Sequence, residues 1–218
     1  MTAKIKKQLV YNPNILKDIK FFLSLELSES EISNHIKSYS TELEKKLTLF
    51  IDRIEFIEHL KILSKNAENN NFKIDEKEVI GVNWDISALI IYLALTSIDI
   101  FKDTSTHKEY FQNVFENISD ELKKEIESNI YIADIKDITK KDNSLSSISE
   151  YLYNVRNNYT HYGLRFHDPD NVALKAQIFE VGSIKHKIEK IIVIANVKLV
   201  DVILKVAVFN VKKIFNFN

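Results

Sequence analysis

The sequence predicts an all-α protein, an antiparallel helical bundle with long N- and C-terminal helices. Three observations carry this. Only three glycines and two prolines occur in 218 residues, whereas sheet proteins need such residues at their hairpins. Apolar residues recur at three- and four-residue spacing over long stretches, the period of a helix. Capping patterns with Ser or Thr three residues before Glu recur at Ser28, Thr106 and Ser147, and each marks a helix start.

Taken in order, the first helix begins after Asn12-Pro13 and runs to about Leu27, because proline suits a first helical turn. Ser28-Glu-Ser-Glu31 then opens a long helix to roughly Ala67, with Leu43, Leu47, Phe50, Ile54, Ile57 and Leu60 on one face. Asn69-Asn-Asn71 breaks it. Asp75-Glu-Lys-Glu78 reads as a further cap, before a helix over roughly 80–103. No charge falls between Asp85 and Asp99, so this helix belongs at the centre of the bundle. Its less apolar side carries Tyr92, Thr96, Asp99 and Asp103.

Thr106-His-Lys-Glu109 opens a helix to about Ser128 with a break near Ser119. The isoleucines of 129–146 fit a short helix or a packed loop, and Lys140–Ser147 an exposed connection. Ser147-Ile-Ser-Glu150 caps the next helix, which Gly163 is placed to end as a C′ residue. Asp168-Pro169 begins another. Residues 170–215 are rich in Ile and Val, which favours strands. Lys190, Lys198, Asp201, Lys205 and Lys212, however, fall on one helical stripe, so this region is predicted helical. Residues 1–75 read as an N-terminal helical extension and 76–218 as the main helical domain; one domain over 1–218 is the alternative.

Several function classes are disfavoured at once. Without cysteine there are no disulfides, thiolate chemistry or sulfur-ligated zinc. His35, His59, His107 and His186 show no mutual metal-ligand spacing, so they are assigned no role and no metal or cofactor is expected. A net charge of −1 advertises neither nucleic acid nor an anionic membrane, though a local basic face remains open. The N-terminal stretch MTAKIKKQLVYNPNIL lacks a signal-peptide pattern, and no uncharged apolar run is long enough to span a bilayer. A cytoplasmic location and no membrane partner are the expectations.

The stretch NVRNNYTHYG, residues 154–163, carries the chemistry. On an ideal helix Ile148, Leu152, Val155 and Tyr159 form the core-facing stripe. Arg156 and His161 fall outside it, about 140° apart, with Tyr153, Asn157 and Thr160 between them. Arginine offers a planar fork of donors suited to phosphate. Histidine exchanges a proton near neutrality, and Asn and Thr can position an oxygen. A phosphodiester cleaved by its own 2′-hydroxyl needs a base, an acid and stabilisation of the phosphorane charge; it needs no metal. One histidine supplies one proton-transfer group, and a second copy in a homodimer would supply another. The same residues also fit a solvated helix end with no role, and spacing alone does not separate the two.

Arg156-Asn157-Asn-Tyr-Thr-His161 resembles the R-x4–6-H motif of the HEPN superfamily (higher eukaryotes and prokaryotes nucleotide-binding). There a polar residue commonly follows the arginine, and the motif lies near the end of a late helix in an all-α bundle, often with glycine soon after. The resemblance covers residues 76–218. It implies a metal-independent endoribonuclease, a toxin or effector of a toxin–antitoxin or antiphage defence system, with its cleft formed by a homodimer. Carried onto this chain, Arg156 stabilises phosphate, His161 transfers a proton and Asn157 supports them. Asp99 is placed to reach the motif, as acidic residues on an earlier helix do in some relatives, and a solvated helix-end acid is its alternative. Tyr153, Thr160 and Tyr162 complete the expected surroundings.

The implied partners are RNA, a second copy, and an antitoxin or sensor. One departure stands out. A subgroup paired with nucleotidyltransferase antitoxins has tyrosine two positions after the histidine; here that place is Gly163, and Tyr162 directly follows His161. Arg165, His167 and the lysines beyond 171 are within reach of an RNA track or merely solvated. The alternative class is a HEPN-like module that binds RNA, a nucleotide or a partner without cutting.

Overall fold

The computed structural model describes residues 14–69, 73–74, 77–78, 82–134, 137–162, 166–167, 176–182, 188–195 and 197–217, with side chains outside 65–88, 134–140 and 158–194. Among these residues the fold is mainly helical, as the scarcity of glycine and proline predicts. The helices are α1 (Ile15–Phe22), α2 (Glu29–Ile36), α3 (Thr41–Asn69), α4 (Val82–Ile98), α5 (His107–Glu116), α6 (Asp120–Asn129), α7 (Leu145–Tyr162) and α8 (Leu199–Ile214). A 3-10 turn, Asp99–Phe101, follows α4 directly. Strands β1 (Lys73–Ile74) and β2 (Lys77–Glu78) pair with each other. Strands β3 (Ile130–Asp134), β4 (Asp137–Asp142), β5 (Phe166–His167), β6 (Ala176–Gly182) and β7 (Ile188–Ala195) form an antiparallel sheet in the order β4-β3-β7-β6-β5.

Local chemistry explains where helices start and stop. α1 ends at Phe22 rather than near Leu27, because Ser24 turns left-handed (φ 49°). Leu25 N then donates to Lys20 O and Ser24 N to Phe21 O, the paired bonds of a Schellman closure. α8 ends in the same way at Asn216. The capping box at Ser28 forms, with Glu31 accepting from Ser28 N at 2.8 Å. The long helix expected after it is instead two. Ser38 Oγ donates to His35 O and Ser40 Oγ accepts from Leu43 N, local bonds that compete with a continuous helix. Glu78, expected in a cap, lies in β2, and α4 starts at Val82.

α4, uncharged after Asp85, does sit centrally, packed against α3, α7 and α8. Ile90, Ile91, Ala94, Leu95 and Ile98 are buried beside Leu47, Phe50, Ile54 and Ile57 of α3 and Val202, Ile203 and Val206 of α8. Buried side chains of all eight helices join one contiguous cluster. Phe101 packs edge-on to both Phe50 and Phe215, which anchors the turn after α4. Lys61 of α3 meets Asp201 of α8 at 2.9 Å, and Lys205 of α8 pairs with Glu125 of α6.

The sheet occupies two stretches that side-chain spacing assigns otherwise. Residues 129–146, predicted as short helix or loop, hold β3 and β4. Within 170–215, predicted as helix, β6 takes Ala176–Gly182 and β7 Ile188–Ala195, and among the described residues only Leu199–Ile214 is helical. Branched Ile and Val side chains suit a pleated surface, and β6 pairs with β7 over its whole length. Asp201, Lys205 and Lys212 of the stripe are helical and Lys198 is the N-cap of α8, but Lys190 stands in β7. Ile130 and Ala195 are cross-strand partners and both are buried, so this end of the sheet joins the helical core. β3 and β6 also lean on α7.

Candidate functional site

Two helix ends and the second half of a third helix bring the candidate site together. Asp99 opens the 3-10 turn after α4, with Ile98 and Phe101 buried on either side. His107 is the first residue of α5, fixed by a complete capping box between Thr106 and Glu109. The link between them is short and internally tied: Lys102 N donates to Asp99 O, and Asp103 Oδ1 accepts from Ser105 N at 2.9 Å and Ser105 Oγ at 2.6 Å. Arg156 comes from α7, whose buried face is Ile148, Tyr151, Leu152 and Val155. α7 starts at Leu145, before the expected cap at Ser147, because Ser144 accepts from Ser147 N and Ile148 N.

Arg156 Nη2 lies 2.8 Å from Asp99 Oδ2 and 3.4 Å from His107 Nδ1. His107 Nδ1 is 3.6 Å from the same Asp99 oxygen, an ion-pair distance rather than a hydrogen bond. The Asp99 and Arg156 side chains are 9% and 14% exposed, and that of His107 is 48% exposed. Asp99 Oδ1 is buried with no hydrogen-bond partner among the described residues. Burial pushes the Asp99 carboxyl above its usual range, against the opposing pull of Arg156 and His107, since desolvation disfavours a charge.

A second arginine approaches from α3. Arg53 Nη1 donates to Thr96 O at 3.0 Å and Thr96 Oγ1 at 3.2 Å. Burial draws its guanidinium below the usual range, while Tyr92 and Asp99 pull the other way. Tyr92, Thr96 and Asp99 therefore do share a face, and it takes up Arg53 and Arg156. Asp103, expected with them, is on the loop beyond.

Of the residues singled out from sequence, Arg156 and Asp99 meet. The helical wheel puts Arg156 on the face away from the core; it turns inward instead, because α5 and the turn after α4 cover that side of α7. Tyr153 is partly buried against Phe111, with ring centroids 6.0 Å apart, and Asn157 is partly exposed. Thr160, His161 and Tyr162 lie in the last turn of α7, and their side chains are outside the described set, as are Gly163, Arg165 and the cap at Asp168-Pro169. His167 belongs to β5. His107 has no role on sequence grounds, yet the fold places it in the cluster. Its position at the start of a capped helix is readable from sequence; its neighbours are not.

Among the described residues no group of three or more His, Asp or Glu is arranged to hold a metal ion, and no helix is long and apolar enough to cross a membrane. Comparison with family models, with curated proteins and with solved structures finds no match.

Proposed function

We propose that the protein is a metal-independent endoribonuclease of HEPN type, a toxin or effector of a prokaryotic toxin–antitoxin or antiphage defence system. The observation that carries the reading is the convergence of Asp99, His107 and the motif arginine Arg156 at one partly open place, on the helix that also bears His161. Arg156 supplies the fork that binds and neutralises the scissile phosphate. Asp99 orients that fork, Asn157 supports it one residue on, and His161 exchanges the proton. A homodimer would double these groups across one cleft.

The test is RNA cleavage by wild type and His161→Ala side by side in EDTA, with analysis of product ends. Cyclic phosphates from wild type and none from the variant support the reading. Cleavage that disappears in EDTA and returns with Mg²⁺ overturns the metal-free mechanism.

A second reading, a HEPN-like module that binds RNA, a nucleotide or a partner without cutting, draws on one feature. Arg156 is already paired with a buried carboxylate, so an incoming phosphate has to compete with Asp99 for it. Tight RNA or nucleotide binding without cleavage would favour this reading.

A further inference from the structure

A catalytic role for His107 rests on the ribonuclease reading, which leaves one proton-transfer group short. Attack by a 2′-hydroxyl needs a base for its proton and an acid for the departing 5′-oxygen, and α7 carries a single histidine, His161, in its last turn. A second histidine stands in the same chain beside Arg156. We propose that His107 is a proton-transfer residue of this site, acting within the chain that supplies Arg156, so that no second copy is needed to complete the acid–base pair.

The geometry gives the ring two defined states. His107 Nδ1 faces Asp99 and Arg156, which leaves Nε2 as the working nitrogen of a half-exposed ring. With the Nδ1 proton turned to the Asp99 carboxylate, Nε2 keeps its lone pair and accepts a proton. With both nitrogens protonated, Nδ1–H still faces the Asp99 carboxylate, and the imidazolium gives up its Nε2 proton. The charges that flank the ring on neighbouring residues are already engaged: Lys108 on its own helix is tied to Glu150 of α7 at 2.8 Å, and Asp103 is held by Ser105.

The step balances. One imidazole takes the proton from O2′, the O2′–P bond forms, the P–O5′ bond breaks, and the other imidazole, as imidazolium, protonates O5′. The products are a 2′,3′-cyclic phosphate and a 5′-hydroxyl. The capping box does not use the His107 side chain: Thr106 and Glu109 make its bonds. Substitution at 107 therefore leaves α5 capped.

The experiment compares wild type, His107→Gln and His107→Ala on a fluorophore-labelled RNA over about pH 5 to 9, with RNA binding by anisotropy and molecular mass by light scattering at the assay concentration. Both variants are expected to cut at least about 100-fold more slowly, to bind RNA within about threefold of wild type, and to lose one limb of the pH–rate profile. Free imidazole should restore His107→Ala and not His107→Gln. If wild type cuts and His107→Gln cuts within about threefold with an unchanged profile, the role of His107 falls and the ribonuclease reading stands. Slow cleavage with an unchanged profile and no imidazole rescue also overturns that role, by making His107 structural. Wild type that cuts no RNA overturns the ribonuclease reading and the role of His107 together.

Discussion

Arg156 and Asp99 form the tightest contact of the site, 2.8 Å between Nη2 and Oδ2, with both side chains largely withdrawn from water. Removing one member of such a pair strands the other charge, and that costs more than the pair itself contributes. Asp99→Ala is therefore expected to destabilise the fold by about 3 kcal/mol. Asp99→Asn should cost less, since its amide oxygen still accepts from the guanidinium. Urea unfolding of the two variants measures the difference, and equal losses would mean that Arg156 does not depend on Asp99.

Arg156→Lys separates charge from shape. The ammonium keeps the positive charge but loses the bidentate fork. RNA cleavage is expected to fall about 100-fold, with folding stability changed by under about 1 kcal/mol. Initial rates and thermal melts on the same preparation test this, and an unchanged rate would remove Arg156 from the chemistry.

Phe111 underlies the site from α5. It is fully buried, stacks on Phe115 and packs against Tyr153 of α7. Phe111→Ala is expected to cost about 3–5 kcal/mol and to loosen α7 where it carries Arg156. Equilibrium denaturation gives the first number, and faster amide exchange in α7 the second effect.

The cap that sets His107 in place is pH-dependent. The Thr106 hydroxyl and backbone N–H hold the Glu109 carboxyl below its ordinary 4.5. A depressed carboxyl stabilises the fold above its unfolded value, and that stability is lost as pH falls through the folded one. Glu109→Gln should thus melt lower than wild type at neutral pH, with the gap closing as pH drops below 4.5. Thermal melts across that range check it, and a constant gap would mean that the carboxylate charge is not what holds the cap. The matching box of Ser28 and Glu31 should behave alike.

Features that depend on near neighbours are legible along the chain. Capping boxes at Ser28 and Thr106 form where their spacing says, the break near Ser119 is real, and the uncharged run of α4 is central. Arg156 is on a late helix whose buried face includes Ile148, Leu152 and Val155. Each of these follows from side-chain period or from bonds made within a few residues.

Tertiary structure decided the rest. The charged residues along 170–215 follow a helical period although Ile and Val favour strands, and pairing of Ile188–Ala195 with β6 and with β3, far off in the chain, selects the strand there. A helical wheel orients Arg156 about the axis of α7 but does not say what covers each side; α5 and the turn after α4 do, and they turn the arginine inward onto Asp99. His107 carried a helix-start signal but no functional one, because its partners lie across the fold and not along the chain. Contacts between distant segments have no period to read, so the site became visible only once the helices were packed.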